Sequence, residues 1–445
     1  MTYAEKMSEF FANLRYEDIP AAKMADVKTI LLDYIACIYG GTKTKSGRIA
    51  AKFARDFNET GKCTLLGFGY KTAPYNAAFC NAIMGHSTEM DDVDVLAYFH
   101  NAPQTISAAL AAAEWSGATG KEFLVGMAAG FEALNRISEA CNPGLRARGF
   151  HTTACVGAFG AGIAAAKTMG LSAEQMVNTL GLSGAQASGL LEFYGTSMAK
   201  RFNPGPAARN GVTAALFAER GFTGAETIFE GKFGFFKAHS AEYDPEKLIK
   251  DLGKDWRFVF EYKPYACARP IHNAIDCALN IRKDHRPKLE EIAAIVIKRH
   301  PEWGTYYHNI KEPLNYHMAQ VSVQFAAALA LVLGKAFVDQ FNDDNIADPT
   351  IMGISKMIDI EDDPSLPRGV SCNMIVTMRN GDVYQSQVDY PKGSIQVPMT
   401  EEDHRAKMSS LCAHMLDNDE QEDIIRAVRN LEQIGNISEF VQLMS

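Results

Sequence analysis

Five segments in the first half of the chain are rich in alanine and glycine and carry apolar residues at helical spacing. They are "ADVKTILLDYIACIYGG" (25–41), "TISAALAAAEWSG" (105–117), "KEFLVGMAAGFEALNRISEA" (121–140), "TTACVGAFGAGIAAAKTMG" (152–170) and "SAEQMVNTLGLSGAQASG" (172–189). In the first, Val27, Ile30, Leu31, Tyr34 and Ile38 recur every three to four residues, and Gly40-Gly41 is expected to end the run. Small side chains let helix axes approach closely, so the pattern predicts a tight multi-helix unit rather than a loose bundle. Charged residues interrupt every segment, which excludes membrane packing.

The texture changes near residue 260. "LEEIAAIVIKRH" (289–300) alternates as a strand does. "SCNMIVTMRNGDVYQSQVDY" (371–390) predicts a hairpin, with β-branched and apolar runs on either side of Asn380-Gly381. Between them "MAQVSVQFAAALALVLG" (318–334) returns to helical spacing. The tail, "EEDHRAKMSSLCAHML" (401–416) and "EDIIRAVRNLEQI" (422–434), is helical again and is expected to return to the first unit. The expected fold is mainly α: a helical domain from both chain ends, 1–264 and 396–445, with an α+β domain inserted at 265–395. A chain of 445 residues exceeds one ordinary core, in line with two domains.

The net charge of −9 argues against a general nucleic-acid binder, which needs a basic face. No apolar run reaches the length of a membrane span, and "MTYAEKMSEFF" lacks the apolar core of a signal peptide. Nine cysteines form no CxxC pair, which fits free thiols in a reducing cytoplasm; Cys155 and Cys267 stand as candidate nucleophiles.

Four polar clusters interrupt these apolar surroundings. "AIMGHSTEMDDVDV" (82–95) packs His86, Glu89, Asp91, Asp92 and Asp94 into nine positions, and His100 follows. "GLRARGFHTTACVGAFGAG" (144–162) places Arg146, Arg148 and His151 ahead of a helix, whose N-terminus favours anions. "GTSMAKRFNPGPAARNGVTAALFAERG" (195–221) sets Lys200 and Arg201 before Pro204-Gly205-Pro206 and another helix. "YKPYACARPIHNAIDCAL" (262–279) brings Lys263, Tyr265, Arg269 and His272 to the start of a further one. Taken singly, each reads equally as a core histidine, a solvated turn or a helix cap. Together, three cationic clusters and one acidic cluster supply anion binding and a general base. "DDVDV" is neither a DDxxD magnesium motif nor an EF-hand loop, and no HExxH, P-loop, GxSxG or dinucleotide fingerprint occurs.

The order and wording of these clusters resemble the MmgE/PrpD family, which includes 2-methylcitrate dehydratase, cis-aconitate decarboxylase and iminodisuccinate epimerase. The matching pieces are "GHSTEMDDVD", "GFHTTACVGAFGAG", "KRFNPGPAARNG" with "AERGFTGAETIFEG", "KPYACARPIHNAID" and "PKGSIQVPMTEEDHRAKM". They run from Gly85 to Met408, most of the chain. The resemblance implies an all-α domain of both chain ends with an inserted α+β lid, a pocket between them, a cytoplasmic homodimer, and no metal or cofactor. It implies chemistry that begins with proton removal beside a carboxylate of a small di- or tricarboxylic acid.

Residue by residue, the resemblance carries catalytic roles to Asp91, His100, His151, Lys200 and Lys263. It implies substrate contacts from Glu89, Asp92, Arg269 and His272, and the neighbouring cations Arg148 and Arg201 join them as expected carboxylate ligands. The chain departs from the decarboxylases of the family at three places: Val93 where they carry Thr, Ala268 where they carry His, and Phe325 where many members carry Tyr. These leave open a dehydratase or decarboxylase, an epimerase or racemase of a small dicarboxylate, and a catalytically silent carboxylate-binding scaffold.

Overall fold

The computed structural model describes residues 1–57, 61–94, 99–193, 197–302, 308–369 and 371–444. The chain is mainly α-helical. Helix Gly157–Thr168 is the centre of the first half, with helices Ala102–Ser116, Gly120–Cys141 and Pro204–Glu219 packed around it. The small residues act as expected: a Cβ on Gly130 would meet the Ala164 Cβ at 2.6 Å and the Gly160 carbonyl oxygen at 2.8 Å. Removing either glycine would force these two helices apart.

The helix that carries Gly40-Gly41 runs over Ala21–Thr42 and ends one residue after the pair, where the sequence placed its end. A Cβ on Gly41 would lie 2.2 Å from the Met84 carbonyl oxygen, so the glycine admits helix Pro74–His86, the element that leads into the acidic cluster. Gly41 thus also serves packing. Helix Ala102–Ser116 does stop at a glycine, Gly117, in the left-handed region at φ 69°.

Two short strands, β1 (Cys63–Leu65) and β2 (Tyr70–Thr72), pair antiparallel within the helical half. The expected all-α unit therefore contains a small hairpin. At three residues each, these strands are too short for a period-two signal to emerge from the sequence.

The second sheet holds β3 (Ile292–Arg299), β4 (Ile358–Asp362), β5 (Cys372–Met378) and β6 (Val383–Val388) in the order β4-β3-β5-β6. Strands β5 and β6 form the predicted hairpin around Asn380-Gly381, with Gly381 at φ 94°. Strand β4 pairs parallel to β3 after a helical connection. Helix His272–His285 covers β5 and β6, and helix Val323–Leu333 packs on it.

The C-terminal helices lie against the first half. Helix Glu401–Cys412 packs on Ala21–Thr42, the Gly67 amide donates to the Met444 carbonyl (3.0 Å), and the Ile437 amide donates to the Ala118 carbonyl (2.8 Å). No helix among the described residues is long and apolar enough to cross a membrane.

Candidate functional site

Helix Pro74–His86 delivers the acidic segment into the protein interior, where Glu89, Asp91 and Asp92 are all fully buried. A carboxylate removed from water needs partners. Glu89 has three. Lys200 Nζ lies 2.6 Å and Arg201 Nη1 3.2 Å from its Oε1, and Lys263 Nζ lies 3.3 Å from its Oε2. Two of these cations come from the short helix Ala199–Phe202; Lys263 follows Glu261, whose backbone is bridged to that of Val93. Burial would raise the Glu89 pKa, but the three cations outweigh it and hold the carboxyl well below its usual range. Glu89 adopts φ 58°, the left-handed region, which for a non-glycine residue costs on the order of 1–3 kcal/mol and is typical of functional segments.

Two residues on, Asp91 faces the other way. Its Oδ2 is 2.7 Å from His86 Nδ1 and 3.0 Å from His100 Nδ1. Burial alone would raise its pKa, yet His86, His100 and Lys263 hold it well below the normal value. His100 Nδ1 also contacts the Asp92 carbonyl oxygen at 2.5 Å. Both neighbours are acceptors, so Nδ1 carries the proton and Nε2 keeps the lone pair. Burial lowers the His100 pKa, with Asp91 opposing, so the ring is neutral at physiological pH. The His86, Asp91 and His100 ligand atoms all lie within 4.8 Å of one another, close enough to share a metal ion. Their present geometry is that of two imidazoles against one carboxylate oxygen, with no hydrogen-bond partner for Asp91 Oδ1 or His86 Nε2 among the described residues.

His151 is the N-cap residue of helix Thr152–Cys155, as its position in the sequence suggested. Its Nδ1 lies 3.0 Å from Asn203 Nδ2, and burial, then the nearby His100, His86 and Lys200, push its pKa well below normal. Thr153 Oγ1 accepts from the His100 amide (3.1 Å), which ties the two histidine segments together. Lys200 is pushed down to about 8, chiefly by burial, with Lys263 and Arg201 adding to it and Glu89 opposing.

The other expected ligands stand elsewhere. Asp92 does not present its carboxylate to the cations: it accepts from the Asn101 amide (2.9 Å), Asn101 Nδ2 (3.0 Å) and the Ala102 amide (2.9 Å), capping helix Ala102–Ser116. A helix N-terminus competes for a buried carboxylate and wins here. Its pKa is pushed up to about 6 by burial and then by Asp91. Arg148 ends the one-turn helix Gly144–Ala147 and is exposed, outside the buried cluster. Arg269 gives its Nε to Glu261 (3.0 Å) and its Nη1 to the Lys392 carbonyl (2.9 Å) and His272 Nδ1 (3.3 Å). His272 Nε2 lies 3.2 Å from the Cys267 carbonyl oxygen. Arg269 and His272 thus brace the connection between the helical half and the sheet, one layer behind the cations. Cys155 and Cys267 are buried, and burial drives both thiols up, Cys155 to about 12, so neither is a thiolate nucleophile.

One residue the sequence did not single out is Gln320. Fully buried at the end of the turn Tyr316–Ala319, it accepts from Arg201 Nη2 and donates to the carbonyls of Thr88 (3.2 Å) and Ala266 (2.7 Å). One amide therefore joins three of the four clusters. A single glutamine in an apolar stretch gives no sequence signal for that role. His86, quoted within the acidic stretch but given no role there, is the second addition.

The MmgE/PrpD N-terminal domain matches residues 5–248 and the MmgE/PrpD C-terminal domain residues 265–433. Similar curated proteins include the cis-aconitate decarboxylase-like protein oryM of Aspergillus oryzae, 27% identical over 99% of this chain and 96% of its own length. The cis-aconitate decarboxylase of Aspergillus terreus is 26% identical over 98% of this chain and 94% of its own. The human cis-aconitate decarboxylase is 26% identical over 94% of this chain and 89% of its own.

Proposed function

Because the chain belongs to the MmgE/PrpD family, we propose that it is a lyase that acts on a small di- or tricarboxylic acid through an enolate-like intermediate, formed by removal of the proton beside a carboxylate ahead of water loss or by loss of CO₂ itself. The observation that carries this reading is the convergence of Lys200, Arg201 and Lys263 on one buried carboxylate. An ammonium has three donors, and Lys200 and Lys263 each use one on Glu89. The remaining donors fit the carboxylates of a ligand and the enediolate charge that forms when the proton leaves. His100, oriented through Nδ1 by Asp91, takes the proton on Nε2. Lys200, with a pKa of about 8, then gives a proton to the departing hydroxyl, which leaves as water; in a decarboxylation no proton is taken first, and Lys200 protonates the carbanion that loss of CO₂ itself leaves. In this reading the site lies between a helical unit, 1–264 with 396–445, and an α+β lid, 265–395, in a cytoplasmic homodimer; light scattering of the purified protein tests the last.

A second reading is favoured by the presence of two neutral imidazoles, His100 and His151, in one site: an epimerase or racemase needs the same enolate and two opposed bases. Citrate, methylcitrate, cis-aconitate, tartrate and iminodisuccinate, followed in deuterium oxide by ultraviolet absorbance and optical rotation, separate the two. Product formation supports the lyase, and deuterium uptake without net product supports the isomerase. Inertness toward all five in both readouts would leave a silent scaffold and defeat both.

Asp91→Asn should lower kcat at least about tenfold with the fold intact, since Asn lacks the negative charge that holds and polarises both imidazoles. An unchanged rate would make the acidic segment purely structural. In the free enzyme kcat/KM should fall as pH rises through about 8, because Lys200 then loses the proton it contributes. Lys200→Ala should raise KM, remove that alkaline limb and lower kcat; a limb that persists in the variant assigns it to another group. His151→Asn should act mainly on kcat. Activity should survive exhaustive chelation; loss with EDTA and rescue by a divalent ion would instead make His86, Asp91 and His100 metal ligands.

A further inference from the structure

The segment "EEDHRAKM" near the C-terminus holds a buried cation that the mechanism above does not use. Lys407, on helix Glu401–Cys412, is 2% exposed. Its ammonium donates to both oxygens of Asp33 (2.7 and 2.9 Å) and to the Met90 carbonyl (2.6 Å). Burying such a pair is weak evidence for stability, because well-packed apolar residues usually serve a core as well or better. The third contact gives the pair its meaning. Met90 separates Glu89 from Asp91, so its carbonyl belongs to the peptide plane that turns one carboxylate toward the cations and the other toward the imidazoles. Glu89 sits in the left-handed region, a conformation that persists only where surrounding contacts enforce it.

The same helix braces the opposite wall. The His404 ring packs edge-on against Tyr262 at 4.6 Å, next to Lys263, and His404 Nδ1 lies 3.6 Å from Asp33. Lys407 stays cationic because Asp33 outweighs the effect of burial. We propose that Lys407, held by Asp33, is a positioning residue that fixes the Met90 peptide and so sets the opposed orientation of Glu89 and Asp91. It acts through the backbone and touches no substrate. The pair comes from the two chain ends, 374 residues apart, so docking of the C-terminal helix completes the site.

The test compares Lys407→Met, Asp33→Asn/Lys407→Met and Lys407→Arg with the wild type in the full chain. The single Met variant leaves Asp33 buried without its cation and should lower the urea midpoint; the double variant removes both charges and should recover it. The double variant nonetheless lacks the contact to Met90. It is expected to keep kcat at least about tenfold below wild type with KM within about threefold, and Lys407→Arg to regain part of that loss. The turnover arm rests on the proposed function. A second arm does not: the ¹⁵N imidazole signals of His86 and His100, assigned with single His→Asn variants, should shift in the double variant at fixed pH. Wild-type imidazole signals in a stably folded double variant would overturn the proposal whatever the enzyme's substrate. So would wild-type kcat in that variant. If neither Met variant folds, Lys407→Arg decides: shifted imidazole signals with lowered kcat and near-normal KM would support the proposal, and wild-type signals with wild-type kcat would overturn it.

Discussion

Glu89→Gln is expected to lower the unfolding free energy by about 3–5 kcal/mol at neutral pH, the usual cost of leaving buried charges without their counter-ion. Three cations lean on this one carboxylate, and none of them reaches bulk water freely. The sign with pH follows from the depressed pKa of Glu89. The carboxylate's contribution is fully present above the unfolded value of about 4.3 and is lost as pH falls through the lower folded value. The gap between wild type and variant should therefore be widest near pH 7 and should close below about pH 4. Glu89 also opposes the downward push on Lys200, so the alkaline limb of kcat/KM, near 8 in the wild type, should move to lower pH in the variant. Urea unfolding at several pH values checks the first expectation. A difference under about 0.5 kcal/mol at pH 7 would place Glu89 among ordinary surface-like charges.

The second large effect concerns the substrate. The chain should be a poor cis-aconitate decarboxylase, with kcat/KM below about 10⁴ M⁻¹s⁻¹, the low end of ordinary enzymes. The resemblance puts Thr, His and Tyr where this chain has Val93, Ala268 and Phe325. Val93 lies in the acidic segment, and the Ala268 amide donates to the Gln320 carbonyl, so both border the cation cluster. Phe325 is fully buried with its ring near Phe341 (6.4 Å between centroids) in the apolar interior of the sheet half. Val93 and Ala268 are therefore the two departures expected to impair decarboxylation. Each lost polar partner of a charged group costs about 1.5–3 kcal/mol, roughly one to two powers of ten in rate. Adjacent losses need not add. Formation of itaconate from cis-aconitate by purified protein is the measurement; efficient turnover would show that neither position matters to decarboxylation and would assign this chain the activity its similar proteins are named for.

The sequence by itself determined the helical first half, the strand–helix–hairpin texture of the second, and the family. Periodicity and turn chemistry are local, and five ordered motifs are specific even where each alone is loose. It also delivered the members of the ion cluster, because Glu89, Lys200, Arg201 and Lys263 are charges set in apolar surroundings. Tertiary structure decided what each charge does. Asp91 and Asp92 are adjacent and chemically identical, yet one orients two imidazoles and the other caps a helix. Arg201 pairs with Glu89 while Arg269 pairs with Glu261. Gly41 admits a neighbouring helix, a role its place at a helix end did not suggest. Gln320 and Lys407 gained their roles from partners remote in sequence, among them Thr88, 232 residues from Gln320, and Met90, 317 residues from Lys407. The physical reason is common to all of these. A buried charge or amide is governed by which partners share its desolvated space, and that is set by chain segments remote in sequence whose distances no local pattern encodes.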